Sequence, residues 1–253
     1  MSVVLTWASG YTLQDRGFER FLKSRYEVMP DIPLYVFGPE FTDSQAELIK
    51  RYGGDLVLVE HTAHLARDRH KEFHDFIKNM GWEDSRVLLS DGRDVIFQRN
   101  PFAYKSMGTM PIYLVEEGID GANHWFQQKE AALVKKTLTS GIDYQTPSRV
   151  VNSGIIYGRG SVVAETCLLN WVFQQQSDPT VTDQGPFNFL SEKIFSKDNR
   201  YKFTNPKVDQ FCFTGEGAKV GEVPYKIIDG KVCNEQDQPY HLVHQWQSIP
   251  NFQ

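Results

Sequence analysis

The sequence predicts an α/β protein with one mostly parallel central sheet and helices on both faces of that sheet. Two observations favour this fold: short apolar runs alternate with segments of helical periodicity, and no linker, repeat or low-complexity stretch separates them. The chain has 253 residues, of which 40% are hydrophobic and 23% are charged. That length and composition suffice for a full core, so we expect one domain spanning residues 1–253.

The first half of the chain predicts four strands separated by three helices. Each strand is a short apolar run, and each helix repeats apolar residues at intervals of three or four positions. Gly53 and Gly54, after the second helix, are typical of a helix C-terminus. The expected strands are 3–6, 33–37, 55–60 and 86–90. The first expected helix opens at a capping box from Thr12 to Asp15, the second contains 46–49, and the third runs from 63 to 80.

The second half predicts two further strands and three helices, followed by short runs that are punctuated by Gly and Pro. We interpret the last seventy residues, with their several short runs, as strands and loops that cover one end of the sheet. The expected strands are 112–115 and 150–157, and the expected helices are 128–138, 162–175 and 184–195.

Composition excludes several classes of partner. The formal net charge of −5 does not show the excess of basic residues that is typical of proteins that bind nucleic acid or an acidic membrane. No apolar run is long enough to span a bilayer, and the first seven residues lack the basic flank of a signal peptide. The three cysteines are scattered, which is typical of a reducing compartment. We therefore expect a cytoplasmic protein with neither a nucleic-acid partner nor a membrane span.

Two carboxylates follow the fourth strand. Asp91 and Asp94 are three residues apart, just after the apolar run that ends at Ser90. In α/β proteins the carboxyl ends of strands are where ligands bind, so this acidic tip is a candidate cation site. The alternative is that the two acids cap a turn and that one of them pairs with Arg93.

Three later stretches also carry polar groups beside apolar runs: Asn152-Ser153-Gly154, Asp183-Gln184 with Asn188, and Tyr240 to Trp246 with His241 and His244. Alternatively, Gly154 marks a bulge with close backbone approach, and Asp183 caps a helix. No phosphate-binding loop or nucleophile elbow is present in the sequence. His70 and His74 are four residues apart, and we interpret them as part of a solvated helix face rather than a zinc site.

Taken in order, the acidic tip and these three stretches resemble the metal-dependent glycosyltransferases of the GT-A fold. The similarity is to the group that includes glycogenin and the bacterial lipopolysaccharide galactosyltransferases. It implies a Rossmann-like domain and a Mn²⁺ or Mg²⁺ ion. It makes Asp94 a direct ligand, with Asp91 touching the ribose or the metal through water and His244 as the third ligand; His241 is the alternative. The family's Asp-x-Asp pair is spaced Asp-x-x-Asp here.

The resemblance also assigns residues to the donor. Asp183 and Gln184 are the catalytic candidates: Asp183 would bind hydroxyls of the donor sugar, and Gln184 would lie near the anomeric carbon. Asn152, Ser153 and Gly154 would reach the same sugar. The nucleotide candidates are Thr6, Ala8, Ser9 and Tyr11 at the end of the first strand, Asp91 and Gly92 at the acidic tip, and Arg67 and Lys71 for the phosphates.

The expected function is transfer of a sugar from a nucleotide-sugar donor, a UDP-sugar, to a glycan or other acceptor hydroxyl, with retention of configuration. The resemblance places the nucleotide in residues 1–105 and the sugar and acceptor in 106–253, in a bacterial or viral enzyme (host cytoplasm if viral) or an excised catalytic domain. Three alternatives stay open: inversion with Asp183 or Glu117 as the base, a sugar nucleotidyltransferase, and a non-catalytic module that binds nucleotide-sugars.

Overall fold

A computed structural model describes residues 1–8, 16–60, 65–104, 112–137, 144–177 and 180–252. The helices in this part of the chain are α1 (Arg16–Val28), α2 (Asp43–Arg51), α3 (Leu65–Asn79), α4 (Trp125–Thr137), α5 (Gly160–Gln175), α6 (Gln184–Lys193) and α7 (Gly215–Lys219). The strands are β1 (Ser2–Trp7), β2 (Leu34–Gly38), β3 (Gly54–Leu58), β4 (Arg86–Asp91), β5 (Val95–Phe97), β6 (Ile112–Asp120), β7 (Arg149–Arg159), β8 (Tyr201–Thr204), β9 (Cys212–Thr214), β10 (Lys226–Ile228), β11 (Lys231–Cys233) and β12 (Leu242–His244).

In the described part of the chain, seven strands form the central sheet, in the order β3-β2-β1-β4-β7-β6-β8. Only β7 runs antiparallel to the other strands of this sheet. Strands β1 and β4 lie side by side at its middle and are nearly continuous apolar runs, as expected for strands that are buried on both faces. The predicted fold class, a mostly parallel sheet within an α/β protein, is confirmed.

Helices cover both faces of the sheet because alternate residues of each strand point in opposite directions. Leu5 of β1 belongs to an apolar cluster with residues of α3, α4, α5 and α6. Its neighbour Val4 belongs to a second cluster, with residues of α1 and α2. The two clusters are the two halves of the core, one on each side of the sheet.

A smaller sheet of three strands, in the order β5-β12-β9, carries the C-terminal part of the chain back to the acidic tip. Strand β12 is antiparallel to β5, with His244 opposite Val95, and it is parallel to β9. This pairing joins segments that are far apart in the sequence. It places the end of β12 directly beside the turn that connects β4 to β5.

Two expected boundaries differ from the structure by three or more residues. Strand β6 continues to Asp120, beyond the expected end at Val115. The expected end was too early because polar residues follow Val115 and interrupt the apolar run. Helix α4 begins at Trp125, three residues before the expected start. The capping box from Thr12 to Asp15 lies outside the described residues, as does the start of the helix expected from residue 63. Within the described ranges, no helix combines the length and apolar character needed to cross a bilayer.

Candidate functional site

Three potential metal ligands meet at the carboxyl edge of β4. Asp91 is the last residue of β4, Asp94 lies in the turn before β5, and His244 ends β12. The Nε2 atom of His244 is 3.4 Å from Asp91 Oδ2 and 3.4 Å from Asp94 Oδ1. All three candidate ligand atoms lie within 4.8 Å of one another. Two carboxylate oxygens and one imidazole nitrogen suit a divalent cation such as Mg²⁺ or Mn²⁺.

His244 provides the test of whether this cluster fits a metal. Its side chain is only 2% exposed, and neither ring nitrogen makes a hydrogen bond to any described residue. Burial alone would lower the pKa of His244, but the carboxylates of Asp94 and Asp91 outweigh burial and raise that pKa to about 10. A buried nitrogen without a hydrogen bond and two adjacent carboxylates both favour a bound cation, so the residues fit one.

His241, the alternative ligand, lies elsewhere. Its Nδ1 atom is 2.8 Å from the carbonyl oxygen of Asn100, and its ring contacts Tyr104 at a centroid distance of 5.4 Å. It is not one of the residues that cluster with Asp91 and Asp94. Of the two histidines, the structure brings only His244 to the acidic tip.

The carboxylate of Asp91 occupies the space beside Gly154. In β7, the pairing with β6 shifts register, so that Leu114 is opposite Ile156 but Val115 is opposite Asn152. The extra residues of β7 form a bulge at Gly154, where an added Cβ would lie 2.1 Å from Asp91 Oδ2. No side chain fits there, which agrees with the alternative that Gly154 marks a close backbone approach.

Arg69 of α3 joins the acidic tip to the expected sugar side of the site. Its Nη1 atom donates a hydrogen bond of 2.6 Å to Asp91 Oδ1, and its Nη2 atom pairs with Asp183 Oδ2. Burial alone would lower the pKa of Arg69, but the carboxylates of Asp183 and Asp91 outweigh burial and raise it. Likewise, burial would raise the pKa of Asp183 and of Asp91, yet the charge of Arg69 holds both below their usual range.

The sequence interpretation missed Arg69, although a signal was present. Arg69 precedes Phe73 by four residues and Ile77 by eight, so it lies on the buried stripe of α3. A cation on the apolar stripe of a helix needs a buried partner, because an unpaired buried charge is costly. The candidates for cations on this helix were instead Arg67 and Lys71.

The interpretation of His70 as part of a solvated helix face was wrong. His70 is 1% exposed, and its Nε2 atom is 3.4 Å from Asp183 Oδ2. Burial lowers the pKa of His70, so it faces Asp183 as a neutral imidazole at neutral pH. His74, by contrast, is at the surface edge of the helix, where its Nδ1 atom is 2.8 Å from Asp75 Oδ1. His70 is buried because it lies on the same stripe as Phe73 and Ile77.

Asp183 directly precedes α6, but its side chain makes no capping hydrogen bond. It turns towards Arg69 and His70, which argues against the helix cap as its main role. A carboxylate that is held by a buried cation and an imidazole has a fixed orientation at the cleft.

Glu117 of β6 holds two of the other expected site residues. It is 3% exposed, and its Oε1 atom accepts hydrogen bonds from Asn152 Nδ2 at 3.0 Å and from Gln184 Nε2 at 3.1 Å. The Oδ1 atom of Asn152 in turn accepts a hydrogen bond of 2.7 Å from the backbone amide of Gly154. These contacts connect β6, the bulge of β7 and the start of α6 into one hydrogen-bonded wall.

The described residues of these elements line an open cleft. It is bordered by acids, cations and amides, namely Arg69, Asp91, Arg93, Asp94, Asn152, Ser153, Asp183, Gln184, His244 and Gln245. The expected metal ligands and the expected sugar-binding side chains therefore share one cavity.

The expected nucleotide side is described only in part. The backbone amide of Ala8 donates to the carbonyl oxygen of Phe37, and Thr6 is fully buried. A Cβ at Gly92 would lie 2.7 Å from Thr6 Oγ1, so the turn after Asp91 packs on the end of β1. Lys71 Nζ pairs with Asp75 Oδ2 at 2.6 Å, on an exposed part of α3. The remaining candidates, Ser9, Tyr11 and the side chain of Arg67, lie outside the described residues.

Fold and site together define a class: an α/β protein whose sheet edge presents a candidate metal cluster beside a polar cleft. A family model for nucleotide-diphospho-sugar transferases matches residues 69–248. Because that match covers more than half of the chain, the protein belongs to the nucleotide-diphospho-sugar transferase family. The matched segment begins at Arg69 and includes every cleft residue named above. Among curated proteins, no significant match is found.

Proposed function

We propose that the protein is a metal-dependent glycosyltransferase that moves a sugar from a UDP-sugar to an acceptor hydroxyl with retention of configuration. Family membership implies a nucleotide-sugar donor and an acceptor. The observation that carries the finer proposal is the cluster of Asp91, Asp94 and His244, which Arg69 links to Asp183. This combination also favours the GT-A grouping with glycogenin and the lipopolysaccharide galactosyltransferases.

The cluster would hold Mn²⁺ or Mg²⁺, which supplies Lewis-acid neutralisation of the departing diphosphate. An imidazole ligand favours Mn²⁺ of the two. Asp94 and Asp91 contribute the carboxylates, and His244 must give up its proton to bind as a neutral ligand. The packing of Gly92 against Thr6 places the acidic tip at the end of β1. We therefore place the nucleotide in the half formed by residues 1–105.

The donor sugar would occupy the other half of the cleft, formed by residues 106–253. Asp183 stays ionised beside Arg69, so it can accept hydrogen bonds from sugar hydroxyls. The Nε2 atom of Gln184 donates a hydrogen bond to Glu117. The amide oxygen of Gln184 therefore faces away from Glu117 and has a defined orientation. The wall holds positively and negatively charged groups in fixed positions, so it orients the donor without rearranging during the reaction.

Retention is favoured over inversion because Asp183 and Glu117, the two candidate bases, are both engaged by neighbouring side chains. An effective base has a pKa near the working pH. Arg69 and His70 both contact Asp183, and its pKa is lowered. Glu117 accepts two amide hydrogen bonds through one oxygen. In a front-face reaction the bond from the anomeric carbon to the diphosphate breaks, the acceptor oxygen bonds to that carbon on the same face, and the departing phosphate oxygen takes the acceptor proton.

Thermal unfolding with UDP, GDP, CDP and ADP, each with and without Mn²⁺, tests the donor and the metal together. A ligand at a hundred times its dissociation constant stabilises the folded state by about 2.7 kcal/mol. We expect that response for UDP with Mn²⁺, together with Mn²⁺-dependent release of UDP from a UDP-sugar.

Asp94→Asn should abolish both the stabilisation and the release, because it removes a metal-binding carboxylate. The matched control is Asp84→Asn, which neutralises an exposed carboxylate that pairs with Arg159 away from the cleft. Absence of a response to every nucleoside diphosphate, or full Mn²⁺-dependent UDP release by Asp94→Asn, would contradict the proposal.

A further inference from the structure

Glu130 is a buried acid that contacts the segment leading into α6, and the proposed reaction gives it no role. It lies on the second turn of α4 and is only 2% exposed. Burial raises the pKa of Glu130, and hydrogen bonds from Thr182 oppose that rise. A buried carboxylate is costly unless its oxygens accept hydrogen bonds, so the partners of Glu130 indicate what it does.

One oxygen of Glu130 binds the residue that precedes Asp183. The Oε2 atom accepts a hydrogen bond of 3.0 Å from the backbone amide of Thr182 and one of 2.8 Å from its hydroxyl. The same oxygen lies against the first turn of α6, because a Cβ added at Gly185 would be 2.8 Å from it. Glu130 therefore contacts the chain on both sides of Asp183 and Gln184.

The N-terminus of α6 does not use the cap that its sequence offers. Asp183 occupies the N-cap position, but its side chain pairs with Arg69 and His70 and makes no capping hydrogen bond. A carboxylate near a helix N-terminus is favourable, since the helix dipole and the free amides of the first turn are positive there. Glu130 brings a carboxylate to this place from another helix. That arrangement leaves the carboxylate of Asp183 available to the cleft.

The far side of α6 is held by different contacts. The Nδ2 atom of Asn188 donates a hydrogen bond of 2.9 Å to the carbonyl oxygen of Gln184, and its Oδ1 atom accepts one of 2.8 Å from the backbone amide of Val151. These bonds hold the helix against β7. Within the described residues, Glu130 is the side chain that binds Thr182. The backbone that leads into the cleft therefore depends on Glu130 for its position.

We infer that Glu130 is a positioning residue for the donor sugar: through Thr182 it sets the place of Asp183 and Gln184 in the cleft. This inference rests on the proposed function, in which those two residues face the sugar. A misplacement of about 1 Å can cost about 100-fold in rate, so a contact behind the cleft can control the reaction without touching the donor. The nucleotide and the metal would be held by other elements, and Glu130 should not affect their binding.

The test compares a UDP-sugar with UDP, which lacks the sugar. Calorimetry measures binding of UDP with Mn²⁺, and steady-state kinetics measures Mn²⁺-dependent release of UDP from UDP-glucose, UDP-galactose, UDP-xylose and UDP-N-acetylglucosamine. For the donor that wild type uses, Glu130→Ala should lower kcat/KM by about 100-fold and leave the affinity for UDP with Mn²⁺ unchanged. Glu130→Gln keeps an oxygen that accepts hydrogen bonds. It should lose no more than about tenfold, because neutral hydrogen bonds are about half as strong as charged ones.

Variants of Thr182 test the same contact from the other side. Thr182→Val removes the hydroxyl bond and keeps the backbone bond, so it should lower kcat/KM by about tenfold; Thr182→Ser keeps both bonds and should match wild type. Because both changes act through one contact, Glu130→Ala combined with Thr182→Val should be no slower than Glu130→Ala alone. Glu165→Ala is the control for loss of a helix carboxylate. Glu165 accepts hydrogen bonds from Arg200 and is not among the described residues that line the cleft, so its loss should not change kcat/KM.

The outcomes separate the two claims. An unchanged kcat/KM in Glu130→Ala, even with a loss of stability on urea unfolding, would overturn the positioning role, and so would an equal loss in Glu130→Gln. An equal loss of affinity for UDP with Mn²⁺ would also overturn it, because the effect would not concern the sugar. If Glu130→Ala does not fold, equal kcat/KM values for Thr182→Val and Thr182→Ser would overturn it. Absence of UDP release by wild type from all four donors would overturn the proposed function, and the positioning role with it.

Discussion

Replacing Gly154 by alanine should damage the metal site through a single methyl group. The added Cβ would lie 2.1 Å from Asp91 Oδ2, 2.5 Å from its Cγ and 3.0 Å from its Oδ1. Ordinary contact requires about 3.5 Å, so the carboxylate must move by more than 1 Å. That displacement carries Asp91 away from Arg69, which it contacts at 2.6 Å, and away from His244, at 3.4 Å.

The cost has two components. Overpacking a filled site destabilises by about 1–3 kcal/mol. Loss of a partner from a buried ion pair costs about 3–5 kcal/mol when the remaining charge stays buried, but Arg69 also keeps Asp183. We therefore expect Gly154→Ala to lower the free energy of unfolding by about 2–4 kcal/mol. Affinity for Mn²⁺ should fall by at least about 100-fold, since changes behind the ligands alone cost 10–100-fold.

Urea unfolding measures the first effect and calorimetric titration with Mn²⁺ measures the second, both below the unfolding transition. Gly81→Ala is the control: Gly81 has φ +67°, and a Cβ added there would meet no atom of the described residues within 4 Å beyond its chain neighbours, so alanine strains the backbone without touching the cleft. It should lose stability but bind Mn²⁺ like wild type. If Gly154→Ala binds Mn²⁺ with wild-type affinity, then the position of the Asp91 carboxylate beside Gly154 is not needed for metal binding.

Other predictions concern the groups around the cluster. Arg69→Lys should slow UDP release by about 100-fold, because one ammonium cannot bridge Asp91 and Asp183; a rate close to wild type would contradict this role. His70→Ala should raise the KM for the UDP-sugar by about tenfold and leave Mn²⁺ affinity unchanged, because it frees only Asp183. Steady-state kinetics measures the KM and calorimetry measures the Mn²⁺ affinity; a change in both would contradict this role. In metal-free protein the pKa of His244 is raised from 6.5 to about 10, so its contribution to stability is complete below pH 6.5 and is lost as the pH rises towards 10. Urea unfolding with a chelator should show this decline, on the order of a few kcal/mol, and His244→Gln should flatten it; an equal decline in both proteins would show that another group is responsible.

The sequence was sufficient to predict the alternation of strands and helices, since the apolar runs and their periodicity report burial directly. It also predicted Asp91, Asp94 and His244 as a group, although this depended on the resemblance rather than on spacing. Their proximity arises from the pairing of β12 with β5, a contact between distant segments that no local pattern reveals. The structure favours His244 over His241 for the same reason, because His244 is the last residue of β12 and His241 precedes that strand.

Other features were missed because their roles depend on partners that are distant in the sequence. Arg69 and His70 are polar residues on the apolar stripe of α3, and only the fold shows that Asp183 faces them. The extension of β6 was missed because Glu116 and Glu117 resemble a loop in sequence, although both are buried in the structure.

In the proposed function, Asp91, Asp94 and His244 hold the cation that binds the nucleoside diphosphate. Anomalous diffraction from crystals grown with Mn²⁺ and UDP tests it most directly. We expect one strong manganese peak bonded to Nε2 of His244 and to a carboxylate oxygen of Asp94, with the diphosphate oxygens completing its coordination. A manganese peak elsewhere, or UDP bound in the cleft with no metal at these three residues, would contradict it.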